Sequence, residues 1–212
     1  VLVTDTKGNV LTGLKPENFT IYEDNVKQEI SNFSPVESNI TAVLLVEFSR
    51  NIGYFIEDAW NAMYTFANTL RKEDWVAVIA YDMRPTILCD FSQDRKELDD
   101  ALRRFRIPAS DDSNLSDALI DALDRTEEIE GKVAIILLST GLDTFSRHTY
   151  DDALKKCKEA NASVYAISLG QAFRLYLESR GINPGIEFQM SDLRLRSFAE
   201  FTGGVSYFPR FQ

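Results

Sequence analysis

Ala42-Val43-Leu44-Leu45-Val46 is an unbroken apolar run, and oxygen-bearing side chains follow it at alternate positions: Glu47, Ser49 and Asn51. A strand buried on both faces reads as a run of this kind, and it belongs at the centre of a parallel sheet covered by helices. Open α/β sheets place their ligand crevice at the carboxyl ends of such strands. Oxygens set there at alternate positions suit a hard cation, which takes carboxylate, hydroxyl and carbonyl ligands. The segment therefore marks the functional end of the molecule.

The rest of the chain after Ser34-Pro35 alternates strand and helix patterns. Apolar strand runs fall at 42–48, 75–81, 86–90, 132–139, 163–169 and 204–208, and helical periodicity at 53–71, 94–105, 114–128, 149–160 and 191–202. In the first helix Ile56, Trp60, Met63, Ala67 and Leu70 recur at spacings of three and four, the stripe any packed helix needs. Asp94 and Thr149 are placed as N-caps, and Gly131 as a helix stop. Only Asp82-Met83-Arg84-Pro85 links the second and third strands, too short for a parallel crossover, so those two form a hairpin. Residues 170–190 break the alternation and read as a short helix and a surface loop. The expected fold is α/β: a doubly wound, mostly parallel sheet with one antiparallel edge strand, flanked by helices.

Residues 1–36 read differently. Val1-Leu2-Val3-Thr4 and Phe19-Thr20-Ile21-Tyr22 are short β runs separated by turn clusters, and 27–33 alternates as a half-exposed strand would. So few strands bury little alone. The expected organisation is a small N-terminal β-extension over 1–36 and the α/β domain over 37–212. The abrupt opening in a strand leads to the expectation of a piece of a longer protein, and on that expectation the lack of a signal peptide says nothing about location.

With 23 Lys and Arg against 33 Asp and Glu, the chain carries a formal charge of −10. That argues against nucleic acid, whose phosphates must be neutralised by basic side chains. Arg103, Arg104 and Arg106, and Arg194 with Arg196, sit among acidic neighbours and read as solvated helix faces. No apolar run approaches a membrane span. Cys89 and Cys157 read as two separate thiols, and with His148 the only histidine there is no zinc site.

Three separated pieces now bear on each other: Leu44-Leu45-Val46-Glu47-Phe48-Ser49-Arg50-Asn51, Ser113-Asn114-Leu115-Ser116-Asp117-Ala118-Leu119, and Ile135-Ile136-Leu137-Leu138-Ser139-Thr140-Gly141-Leu142-Asp143. In this order and spacing they resemble a von Willebrand factor type A domain over roughly residues 40–210. Tyr22-Glu23-Asp24, Gly13-Leu14 and neighbouring residues further resemble the lead-in of a bacterial subgroup, abundant in acidobacteria and often exported, which implies a periplasmic or secreted location. The resemblance implies a metal-ion-dependent adhesion site, where hydroxyls and aspartates hold Mg²⁺ directly or through water and a protein partner supplies a further carboxylate.

This sequence departs from that pattern. The leading Asp is Glu47, Ser49 is retained, the second Ser is Asn51, the Thr is Ser113, and the third-piece Asp is Thr140. Mg²⁺ tolerates geometric error poorly, so the expectation is weak binding or none. Glu47, Ser49, Asn51 and Ser113 are the candidate metal ligands, for Mg²⁺ or the more permissive Ca²⁺. Together with Thr140 and Asp143 they form the candidate partner-binding face. An unpaired Glu47 at the end of a buried strand is costly and must find a cation, a donor or water, while Arg50 points elsewhere. Asp111, Asp112 and Asp143 flank the same face and offer a different way to recruit a cation, the larger and more flexible Ca²⁺; against this stands their reading as solvated loop carboxylates beside a degenerate site.

The expected function is a non-enzymatic protein-interaction or adhesion module. The alternatives are a metal-dependent adhesion module with an adapted site, or a structural domain of a larger exported assembly. A nucleotide enzyme would need a glycine-rich turn after the first strand, and a hydrolase its nucleophile elbow; neither is present. His148 does lie near Ser146 and Asp143 in sequence, a cluster that only geometry can turn into a catalytic set.

Overall fold

The computed structural model describes residues 3, 5–6, 11–33, 39–104, 110–184 and 186–209. Most of the amino-terminal strand and turn, Arg106 and Phe211 lie outside the described residues. The chain divides into two compact units, Val1–Glu37 and Ser38–Gln212.

In the first unit, β1 (Ile21–Glu23) and β2 (Val26–Gln28) form an antiparallel hairpin with Glu23 opposite Val26. Its two-residue turn puts Asp24 and Asn25 at φ 49° and 64°. Positive φ at both central positions is the type I′ geometry that matches strand twist, and Asp and Asn tolerate it better than other side chains. The strand expected over 27–33 ends at Gln28. The Phe19 and Phe33 rings meet at 5.5 Å.

The second unit is built on β3 (Ile40–Glu47), β4 (Trp75–Tyr81), β5 (Pro85–Ser92), β6 (Lys132–Ser139), β7 (Ala162–Ser168) and β8 (Ser206–Tyr207). Their order is β5-β4-β3-β6-β7-β8, all parallel except β5, which pairs antiparallel with β4 as the short link requires. Six helices flank it: α1 (Ile56–Thr69), α2 (Arg95–Arg103), α3 (Leu115–Thr126), α4 (Tyr150–Glu159), α5 (Gly170–Ser179) and α6 (Glu187–Phe201).

Residues 42–46 are fully buried because helices cover both sheet faces. Val43 and Leu45 join Ile79, Leu119, Leu123, Ile135 and Phe198 on one side. Leu44 and Val46 meet Met63, Val78, Leu102 and Leu138 on the other. A fully buried aliphatic side chain of this kind is worth roughly 1.5–3 kcal/mol over an exposed one.

The expected caps form. Asp94 accepts from the Lys96 amide at 2.8 Å, and Thr149 makes a reciprocal capping box with Asp152. Cys89 and Cys157 are separate buried thiols. Gly131 needs correction: α3 stops earlier, at Thr126, whose hydroxyl folds back on the Ala122 and Leu123 carbonyls, and Gly131 (φ 95°) sits in the turn into β6. The helix expected from residue 53 also changes. Arg50–Phe55 is a 3₁₀ segment, because the Arg50 amide is held by the Ser110 carbonyl and Ile52 bonds back only to Ser49.

Candidate functional site

Between β3 and β6 the chain connections leave in opposite directions, the switch point where open α/β sheets form their crevice. Glu47 ends β3 there and Ser139 ends β6. The Glu47 side chain has no solvent exposure and bridges the gap. Its carboxylate accepts from Ser49 Oγ at 2.5 Å, Ser139 Oγ at 2.9 Å and the Thr140 amide at 2.7 Å. Thr140 Oγ1 lies 3.0 Å from Oε1 and 2.8 Å from Oε2. The donor expected for this carboxylate is therefore supplied by the protein four times over. Burial pushes the Glu47 carboxyl above its ordinary range, and these hydrogen bonds oppose the rise without cancelling it.

Tyr81 is the main residue that sequence reasoning missed. It ends β4 in register with Glu47, is fully buried, and donates its hydroxyl to Ser139 Oγ at 2.8 Å. Burial, then the charge of Glu47, hold its phenol well above the usual value. Its place at the end of an apolar strand was the available signal. Ser139 was missed in the same way, although it stands inside the third piece.

The remaining candidates form a second cluster. The Thr144 and Phe145 amides bond the Ser113 carbonyl at 2.8 and 2.9 Å, which ties the loop after β6 to the start of α3. Asp143 Oδ2 accepts from the Ser116 amide and hydroxyl at 3.1 and 2.5 Å. Ser113 Oγ and Asp143 Oδ1 are buried without a hydrogen-bond partner among the described residues. Asn51 turns away from Glu47 and donates to the Asp111 carbonyl at 3.0 Å, and Arg50 pairs with the Asp111 carboxylate at 3.3 Å.

The loop after β6 is pinned by close backbone contacts. A Cβ on Gly141 (φ 78°) would lie 2.7 Å from the Ser191 carbonyl oxygen, and a Cβ on Gly170 would lie 2.6 Å from that of Thr140. Neither position has room for a side chain unless the backbone moves.

His148 does not join Asp143. Its Nδ1 lies 2.8 Å from Asp117 Oδ1, and Asp117 also accepts the amides of Arg147 and His148. Asp143 is taken by Ser116, so the local Ser, His and Asp do not assemble into a nucleophile–base–orienter set.

The sequence profile of the von Willebrand factor type A domain matches residues 42–143. A search of curated proteins gives no match. Among solved structures, BatB from Bacteroides thetaiotaomicron is similar at 14% identity, covering 82% of this chain and 92% of that one with a TM-score of 0.62. A von Willebrand factor type A protein from Catenulispora acidiphila matches at 18% identity over 82% of this chain and 39% of that one, with a TM-score of 0.62. The vWF domain of the type V pili tip protein Mfa5 from Porphyromonas gingivalis matches at 11% identity over 82% and 91%, with a TM-score of 0.60. At these identities the likeness is one of fold. Residues 42–143 thus match the von Willebrand factor type A domain in sequence profile, and the mostly parallel six-stranded sheet flanked by helices is the fold of these similar structures.

Proposed function

We propose that this chain is a non-enzymatic protein-interaction module of the adhesion type, and that Glu47, Ser49, Ser113 and Thr140, all buried, support from beneath a strand-end face around the half-buried Asn51 and Asp143 that works without a bound metal. The observation that carries this reading is the hydrogen-bonding of Glu47. The match to the von Willebrand factor type A domain implies a Mg²⁺ site here, but the residues present do not fit one. The buried carboxylate spends its oxygens on protein donors, Ser49 spends its proton on Glu47, Asn51 is engaged with Asp111, and Thr140 brings no charge. Among the described residues no group of three or more His, Cys, Asp or Glu could hold a metal. Mg²⁺ is strict about geometry and slow to give up water, so stripping four donors from Glu47 is a poor exchange for it.

A second reading, a metal-dependent module with an adapted site for Mg²⁺ or Ca²⁺, is favoured by Ser113 Oγ and Asp143 Oδ1, both buried without partners. Thermal unfolding in chelator and then in Mg²⁺, Mn²⁺ or Ca²⁺ separates the two. A cation held only by the folded state at a hundredfold over its dissociation constant adds about 2.7 kcal/mol, which for a chain of this size raises the midpoint by roughly 5–11 °C. No shift is expected. A selective rise that Glu47→Ala abolishes would overturn the metal-free reading. The double change Glu47→Asp with Thr140→Asp should gain Mg²⁺ affinity. The pilus-tip protein among similar structures supports an extracytoplasmic setting. No helix of the described residues is long and apolar enough to cross a membrane.

A further inference from the structure

Beside the Glu47 cluster lies a groove of about 540 Å³, within the size range of sites that hold a ligand or a peptide segment. One wall is the connection after β3, where Arg50 and Asn51 are tied to Asp111. The other wall is α5 and the turn after it, which contribute Tyr176, Arg180 and Ile182. Phe173 and Leu177 line it between them. The Phe173 and Tyr176 rings stack at 6.4 Å, and the Arg180 guanidinium lies over the Tyr176 ring at 5.4 Å. Ile182 is half exposed at the end of the groove.

The charge of this groove is opposite to that of the chain. The molecule carries −10 overall, yet among the described residues that line the groove two are arginines, Arg50 and Arg180, and one is a carboxylate, Asp111. Arg50 already holds that carboxylate in an exposed pair. Exposed pairs of this kind are worth about 0–1 kcal/mol, so an incoming carboxylate can exchange with it. Arg and Tyr are the side chains most enriched where binding energy concentrates, and a guanidinium laid on an aromatic face is partly ordered in advance.

We infer that this groove binds a segment of a partner protein in which an acidic side chain, paired with Arg50 and Arg180, stands beside an apolar or aromatic one seated on Phe173, Tyr176 and Ile182. The inference rests on the metal-free reading of the neighbouring site and names its partner by chemistry. Two arginines take the role of counter-charge to the partner's carboxylate, and the aromatic wall supplies the buried contact. A second copy of this chain, whose net charge of −10 repels that of the first, is the competing occupant that the test addresses.

The test uses two displayed peptide libraries, identical except that the central position is fixed as Glu in one and Gln in the other, selected on the folded chain in chelator. Enrichment is expected only from the Glu library, with apolar or aromatic residues next to the fixed position. Each of Arg50→Gln and Arg180→Gln should weaken a selected peptide about tenfold, with unfolding midpoints unchanged because both side chains are exposed. Equal enrichment from both libraries, or none from either, overturns the inference. So does concentration-dependent dimerisation that Arg180→Gln abolishes. Peptides that bind in chelator but ignore both arginine changes overturn the groove and leave the metal-free reading standing. Binding that appears only when Mg²⁺ is added overturns that reading itself.

Discussion

Removing the Glu47 side chain should destabilise the domain more than any surface change. Glu47→Ala takes away the acceptor of the Thr140 amide and of three hydroxyls, all buried. The hydroxyls can turn toward one another, since Tyr81 and Ser139 are already bonded, but the amide cannot. A buried donor left without a partner costs about 1–3 kcal/mol, and hydrogen bonds to a charged acceptor are worth about 1.5–3 kcal/mol each. Relief of the carboxylate's own desolvation works the other way, as its raised pKa indicates. The net loss comes to about 3 kcal/mol, or a fall in the unfolding midpoint of roughly 6–12 °C for a chain of this size. Glu47→Gln keeps the shape and an acceptor for the Thr140 amide, so it should cost about 1 kcal/mol or less. The two variants also separate charge from shape through pH. A carboxyl raised above its ordinary value of 4.5 contributes most below that pH, and this contribution is lost as pH rises through the folded pKa. The Gln variant therefore gains on the parent as pH rises above about 4.5. Differential scanning calorimetry across that window reads both effects. An Ala variant that melts with the parent would refute the view of Glu47 as the hub joining β3 to β6.

Other expectations follow from single contacts. Burial raises the Asp117 carboxyl, but the His148 and Arg147 amides and the His148 ring outweigh it and leave the pKa lowered. Its stabilisation is present above pH 3.8 and lost as pH falls through the folded value. Asp117→Asn should then cost about 1–2 kcal/mol at neutral pH and flatten the acid limb of a urea-denaturation series. Gly141→Ala meets both a positive φ and the Ser191 carbonyl oxygen at 2.7 Å. A loss of about 2–3 kcal/mol is expected, and an unchanged midpoint would mean the loop yields easily. Thr149→Ala breaks the capping box of α4 and should cost about 1 kcal/mol, visible in the same denaturation assay.

Elements whose burial is written in local pattern were legible in the sequence. The run 42–46 announced a two-sided strand because both faces are covered. The short link after Tyr81 forced the β4–β5 hairpin. Features set by distant partners were not legible. β8 is two residues long, and the Gly204 before it runs so close to β7 that a Cβ there would lie 2.0 Å from the Val164 carbonyl oxygen. α6 begins at Glu187 rather than residue 191, and Met190 and Leu193 face outward, so its apolar spacing did not report the buried side. In the site, Glu47, Ser49 and Thr140 do converge, while Asn51 is drawn off by Asp111. The hydroxyl of Tyr81 and the pairing of His148 with Asp117 join residues far apart in the chain, which no local spacing encodes.

The direct contact between Thr140 and Glu47 also constrains how this chain can change over generations. Thr140→Asp alone would press a second carboxylate against one that is already buried, and like charges at that distance cannot both stay ionised. Glu47→Asp alone would draw the acceptor back by one methylene from the buried Thr140 amide that it now satisfies at 2.7 Å. Each single step passes through a less stable protein, and only the two together reach the aspartate pair of the family. On the metal-free reading proposed above, the hydrogen-bonded pair thus acts as a ratchet, because the way to an aspartate pair crosses a valley that point substitutions enter at a loss.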